Sequence, residues 1–214
     1  MLTKEQNDIL KELMNIYVGR AAKLLSEIIN KRINLSVPEL HIILPQFKSE
    51  INKEKFPEFL KGTLMSSSLS FGEEFTGKAE LVFPTDKIKV LTSLCLGEDD
   101  FLDLGEENFN NFNDIDFDVM KEIGNIILNS VMGGIGDLLN TKLQYTVPEI
   151  ELFDIIEYRK RIIEKQDVYF ILMYVSFTVE DTEIQGAILT NFSLNSITQL
   201  MDKINEIKKE LEYE

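Results

Sequence analysis

Apolar residues recur every three to four positions from Ile9 to Ile28: Ile9, Leu10, Leu13, Met14, Ile16, Ala21, Leu24, Leu25 and Ile28. That spacing predicts a helix. It begins at Thr3, where Gln6 completes a capping box, and runs to about Lys31. Beyond Pro38 the pattern changes to strand, from Leu40 to Phe47. A loop rich in Lys and Glu covers Lys48 to Lys61. Two further strands, Thr63–Phe71 and Thr76–Phe83, flank the hairpin signal Gly72-Glu73-Glu74. A short helix spans Asp86 to Leu96, and Gly97 stops it.

The second half repeats this plan. Residues 8–40, DILKELMNIYVGRAAKLLSEIINKRINLSVPEL, align without a gap on residues 118–150, DVMKEIGNIILNSVMGGIGDLLNTKLQYTVPEI, at an offset of 110. Asp8 matches Asp118, Lys11 matches Lys121, Glu12 matches Glu122 and Asn15 matches Asn125. Asn30 meets Asn140, and Val37-Pro38-Glu39 meets Val147-Pro148-Glu149. Further on, the segment from Gly77 to Phe83 resembles that from Gly186 to Phe192 with a one-residue slip. The second unit is read as a helix from about Asp116 to Asn140, strands near Ile150–Tyr158, Asp167–Val179 and Glu183–Thr190, and a last helix from about Leu194 to Leu211. Glu180-Asp181-Thr182 supplies its hairpin turn.

The expected fold is therefore α+β, a duplicated unit of helix, three strands and helix. Six strands form a mixed, largely antiparallel sheet covered by four helices, arranged about a pseudo-two-fold axis. The chain is read as a single domain, residues 1–214, made of two repeats at about 3–97 and 114–211. The linker from Gly97 to Asp118 reads as an exposed acidic loop pinned by Phe101, Phe109, Phe112 and Phe117.

Composition narrows the function. With 37 acidic and 22 basic residues the net charge is −15, which argues against nucleic acid and against anionic membrane surfaces. Cys95 is the sole cysteine, so no disulfide forms within the chain. The longest apolar run, Val168 to Val175, suits a buried strand and not a membrane span. A cytoplasmic protein is expected.

The polar positions of the long helices carry the candidate chemistry. Asp8, Glu12 and Asn15 are spaced by four and three, which places them on one helix face, and position 19 extends the line. Asp118, Glu122, Asn125 and Asn129 do the same in the second copy. One reading is the solvated face of an amphipathic helix. Against it, Asn is a poor helix former, and both copies hold the same carboxylate and the same carboxamide. His41 is the only histidine, so a His-based triad or His-rich metal site is excluded. A carboxamide is no base, but it holds water in line with an electrophile. Hydrolysis of an acyl phosphate needs such positioning more than base strength. A carboxylate beside it can pair with a lysine next to the phosphate.

The spacing Asp-x3-Glu-x2-Asn-x22-Pro occurs twice, as Asp8, Glu12, Asn15, Pro38 and as Asp118, Glu122, Asn125, Pro148. It resembles the signature of the CheC family of chemotaxis phosphatases, relatives of CheX and FliY. The resemblance runs from about residue 3 to 210. It implies dephosphorylation of a phosphorylated CheY-like response regulator by insertion of the helix into the partner's site. By match, Asn15 and Asn125 orient the attacking water, and Glu12 and Glu122 contact the partner's lysine. Asp8, Asp118, Pro38 and Pro148 complete the motif. No cofactor of its own is implied; the Mg²⁺ belongs to the partner's receiver domain. CheX-like members carry one such helix and FliY-like members add a flagellar-switch domain, so two copies in a chain of this length point to a CheC-like member. The resemblance also brings in CheD as a partner. A non-catalytic module that binds a response regulator or the flagellar motor, and a CheD-binding regulator, are the alternatives.

Departures from the family pattern bear on the two faces. The first has Leu13-Met14 where small residues are common, and Tyr17 where relatives often have Gly. The second is followed by Gly133, Gly134 and Gly136 inside a helical pattern, which points to close packing or a kink. The two faces are expected to differ in activity. His41 and Cys95 read as structural.

Overall fold

The computed structural model describes residues 3–45, 59–73, 75–97, 112–164 and 168–212. Helix α1 (Lys4–Ile29) starts as its sequence requires. Thr3 accepts from the Gln6 backbone N–H while the Gln6 side chain accepts from the Thr3 N–H, the reciprocal capping box. The helix ends two residues earlier than the periodicity predicts, because Asn30 takes a left-handed conformation with φ 55°.

The chain then forms strands β1 (Ile33–Ser36) and β2 (Leu40–Ile43) on either side of Pro38, followed by the hairpin β3 (Thr63–Gly72) and β4 (Gly77–Pro84) and helix α2 (Thr85–Leu96). The second half opens with α3 (Asp114–Leu138) and short strands β5 (Gln144–Tyr145) and β6 (Glu149–Asp154) around Pro148. Helix α4 (Ile155–Glu164), the hairpin β7 (Tyr169–Val179) and β8 (Thr182–Phe192), and α5 (Leu194–Glu212) complete it.

The eight strands make one sheet in the order β1-β7-β8-β4-β3-β5, with β2 also on β7 and β6 also on β3. Every pairing among the described residues is antiparallel. Each half thus lends its short edge strands to the other half's hairpin, and β4 meets β8 in the middle. Glycines allow the central approach. A β-carbon on Gly77 would lie 2.1 Å from the Asn191 carbonyl oxygen, and one on Gly186 would lie 2.8 Å from that of Val82.

The α+β class and the largely antiparallel sheet stand as the sequence predicts. The element count differs: the described residues form eight strands and five helices instead of six and four. The predicted strand Ile150–Tyr158 is a strand only to Asp154. There the helical spacing of the buried Ile155, Tyr158 and Ile162 takes over. Strands β1 and β5 are too short for periodicity to reveal. Residues 46–58, most of the predicted polar loop, and residues 98–111, with Phe101 and Phe109, lie outside the described residues. Of the linker aromatics, Phe112 packs edge-on against Phe117 with ring centroids 6.2 Å apart.

Helices α1, α2, α3 and α5 cover one sheet face, in a core that includes Leu10, Met14, Met65, Phe83, Ile127, Met173 and Leu200. The opposite face carries a smaller cluster under α4, with Leu64, Phe153, Tyr158, Phe170 and Leu172. Alternation along β7 supplies both: Phe170 and Leu172 on one side, Ile171 and Met173 on the other. Among the described residues no helix is long and apolar enough to cross a membrane.

Candidate functional site

The site helices lie against each other. The Ser130 hydroxyl donates to the Tyr17 carbonyl at 2.8 Å, and Gly134 lies under the Tyr17 ring, where a β-carbon would come within 2.3 Å. Gly136 is equally constrained, with the Thr141 carbonyl oxygen 2.8 Å from a β-carbon there. Two of the three glycines at this end of α3 are therefore packing residues. Gly133 is not: a β-carbon there would meet, among the described residues, just the Tyr145 hydroxyl at 3.7 Å.

Helix α3 begins at a second capping box, two residues ahead of the start that the sequence pattern predicts. Asn113 is the N-cap and Asp116 its reciprocal partner. Asp116 is 1% exposed and also takes the Lys89 ammonium of α2. A charge-assisted bond from the neighbouring helix thus fixes the start of the second site helix. Asp118, Glu122 and Asn125 follow on its outer flank.

On both helices the carboxylates Asp8, Glu12, Asp118 and Glu122 are exposed, and the carboxamides of Asn15 and Asn125 are half-buried. The helical fold puts each Glu one turn before its Asn on the same flank. The structure thus brings each predicted triad together on one helix surface.

The two Asn environments differ. Asn15 Oδ1 accepts from the Val37 N–H at 2.8 Å, and its Nδ2 donates to the carbonyls of Val37 at 3.3 Å and Lys11 at 3.0 Å. Ser26 repeats the device at the other end of β1, accepting from the Ile33 N–H at 2.9 Å. Helix α1 is thereby stitched to the strap that precedes Pro38. In the second copy the strap before Pro148 bonds to the sheet: Thr146 and Ser70 exchange two hydrogen bonds of 3.0 Å. Val147 is 72% exposed, whereas Val37 is 1% exposed. Asn125 Oδ1 accepts instead from Asn129 Nδ2 at 2.7 Å, and its own Nδ2 has no protein partner among the described residues. The strap contact and the Asn113 cap are the parts of the site that sequence reasoning missed. Asn-x-x-Asp ahead of an apolar run was a usable signal for the cap.

Both prolines separate two pieces of edge strand, consistent with a role in setting strand entry. His41 packs against Tyr174 with ring centroids 5.3 Å apart and the rings tilted by 58°, and its Nε2 lies 3.3 Å from the Glu39 carboxylate. No cluster of three or more His, Cys, Asp or Glu residues suited to a metal occurs among the described residues. A groove at the α1 N-terminus, bounded by β2 and α5, is lined by residues such as Asn7, His41, Tyr169 and Met201. None of the Glu–Asn residues lines it. The paired side chains sit on convex helix surface, a geometry for entering a partner and not for enclosing a small substrate.

A family model described as "CheC-like family" matches residues 5–42. The chain is 26% identical over 156 residues to the CheY-P phosphatase CheC of Bacillus subtilis strain 168, covering 71% of this chain and 68% of that protein. It is 23% identical over 208 residues to the flagellar motor switch phosphatase FliY of the same strain, covering 94% of this chain and 50% of that protein. The chain thus spans half the length of that FliY. Among solved structures, Thermotoga maritima FliY superposes with a TM-score of 0.71 at 18% identity, covering 96% of this chain and 98% of that one. The FliM middle domain from H. pylori superposes with a TM-score of 0.62 at 12% identity, covering 94% and 99%. These two structural likenesses are of fold.

Proposed function

We propose that this chain, a CheC/FliY-family member, is a phosphatase acting on a phosphorylated CheY-like receiver domain. One observation carries the proposal. An exposed Glu122 stands one turn before a half-exposed Asn125 whose Nδ2 is uncommitted among the described residues, on a helix face free to enter a partner. In the reaction, water attacks the phosphorus of the aspartyl phosphate. The bond from phosphorus to the carboxyl oxygen breaks, the Asp carboxylate leaves, and inorganic phosphate takes the water's oxygen, with a proton lost to solvent. The carboxamide of Asn125 holds that water in line. Its Nδ2 N–H groups donate, and Oδ1 keeps a second lone pair. Glu122 pairs with the partner's lysine and sets the register of docking. Glu12 and Asn15 are the same pair on α1. Mg²⁺ and the phosphoaspartate are the partner's; this chain supplies positioning. The net charge of −15 fits a partner reached through a lysine.

A second reading is a docking module without hydrolysis. The likeness of fold to the FliM middle domain favours it. Loss of phosphoryl label from a phosphorylated receiver, with and without the chain, separates the two. Acceleration supports the phosphatase. Binding without acceleration supports the module.

A further inference from the structure

We infer that the two Glu–Asn faces are unequal: the first is latched by the protein's own Val37–Pro38 strap, and the second carries most of the turnover. The inference rests on the phosphatase reading and deepens it.

The latch is a main-chain pairing made by a side chain. Pro38 excludes Val37 from the helical region and holds it extended. In an extended residue the N–H and C=O point to the same side, and here both face Asn15. The carboxamide answers with Oδ1 to the N–H at 2.8 Å and Nδ2 to the carbonyl at 3.3 Å, while Nδ2 also reaches the Lys11 carbonyl at 3.0 Å. Val37 is 1% exposed, so its side chain anchors the strap and its N–H has no ready access to water. For Asn15 Nδ2 to donate to a catalytic water as Asn125 Nδ2 can, it must leave the Val37 and Lys11 carbonyls and so loosen the pairing that satisfies the buried Val37. The interval of 22 residues between Asn15 and Val37 is thus the reach of a latch as well as part of a motif.

The second face keeps the proline, Pro148, but not the bonds between the Asn and the strap. Val147 is turned to solvent, and its strap is held by the Thr146–Ser70 pair on the sheet. Asn129, one turn after Asn125, steadies the Asn125 carboxamide from one end and leaves the other free. The first helix has Gly19 at that position and cannot make this bond.

The experiment compares kcat for a phosphorylated CheY-like receiver with wild type, Asn15→Ala and Asn125→Ala, alongside thermal unfolding and amide exchange at Val37. The expected result is that Asn125→Ala costs at least about tenfold more in kcat than Asn15→Ala. Asn15→Ala, in turn, lowers the melting temperature by several degrees and speeds exchange of the Val37 N–H, which Asn125→Ala leaves slow. Asn15→Asp keeps the acceptor for Val37 and serves if the alanine variant does not fold; its Val37 N–H is expected to exchange slowly. Equal losses of kcat from the two positions, or slow Val37 exchange in Asn15→Ala, overturn the inference while the phosphatase reading stands. A wild type that does not accelerate the receiver overturns both.

Discussion

Gly124 lies so close to Ser67 that a β-carbon on it would meet the Ser67 Oγ at 2.1 Å. The contact draws α3 onto β3 at the residue immediately before Asn125, so the second site is seated by backbone approach to the sheet. The matching position on α1 is Met14, fully buried, which seats the first helix through a side chain. The sequence difference between Met14 and Gly124 is therefore a difference in how each Asn is held.

Glycine substitutions on the site helices are expected to act with opposite signs. Gly124→Ala gains helix propensity but overpacks against Ser67, and should destabilise the protein by about 1–3 kcal/mol. A β-carbon on Gly19 would have nothing within 4 Å, so Gly19→Ala should stabilise by roughly 0.5–1 kcal/mol. Thermal or denaturant unfolding of the two variants reads both signs.

Asp116 is expected to be the costliest polar position in α3. It is 1% exposed, takes the N–H of Asn113 and pairs with Lys89. Asp116→Ala leaves the ammonium of a largely buried lysine without its carboxylate, for a loss of about 3–5 kcal/mol. A denaturation midpoint close to that of wild type would show that the cap and pair contribute little.

Burial pushes the Cys95 thiol up from its ordinary 9.0 to about 12, against a smaller downward pull from Lys31. The native thiol should resist alkylation at pH 8 and react fully once the chain is unfolded. Below pH 9.0 the thiol is protonated in both folded and unfolded chains. Above it the unfolded chain ionises first, so this contribution is lost as pH rises toward about 12. Unfolding midpoints of wild type and Cys95→Ala across that range should converge with rising pH, because only the wild type carries the titrating group.

Much of the fold was legible because its signals are local. The Thr3–Gln6 capping box, the helical period of α1 and the two hairpins all appear where the sequence places them. The repeat also put Asp8, Glu12 and Asn15 beside their counterparts in one pattern. What escaped depends on distant partners. Strand β1 is four residues long and exists because β7 pairs with it. The passage from β6 into α4 has no Gly or Pro to mark it; Asp154, whose carboxylate accepts from the Ile156 N–H at 2.8 Å, and the shared burial of Ile155, Tyr158 and Ile162 show the change. The Asn15–Val37 latch joins a side chain to main-chain atoms, and backbone partners leave no trace in residue types. The sequence did carry the expectation that the two faces differ, through Tyr17 and the glycines of α3. Tyr17 packs on Gly134, one point where the halves depart from identity.

The central claim is that a carboxamide on α3 positions water for hydrolysis of the partner's aspartyl phosphate. Its most direct test is the single-turnover rate of a phosphorylated CheY-like receiver, at saturating chain, with wild type and with the near-isosteric Asn125→Asp. The account predicts a wild-type rate well above the receiver's own, and a fall of about 100-fold or more in the maximal rate for the variant, with unchanged thermal stability. A maximal rate in Asn125→Asp equal to that of wild type would contradict it.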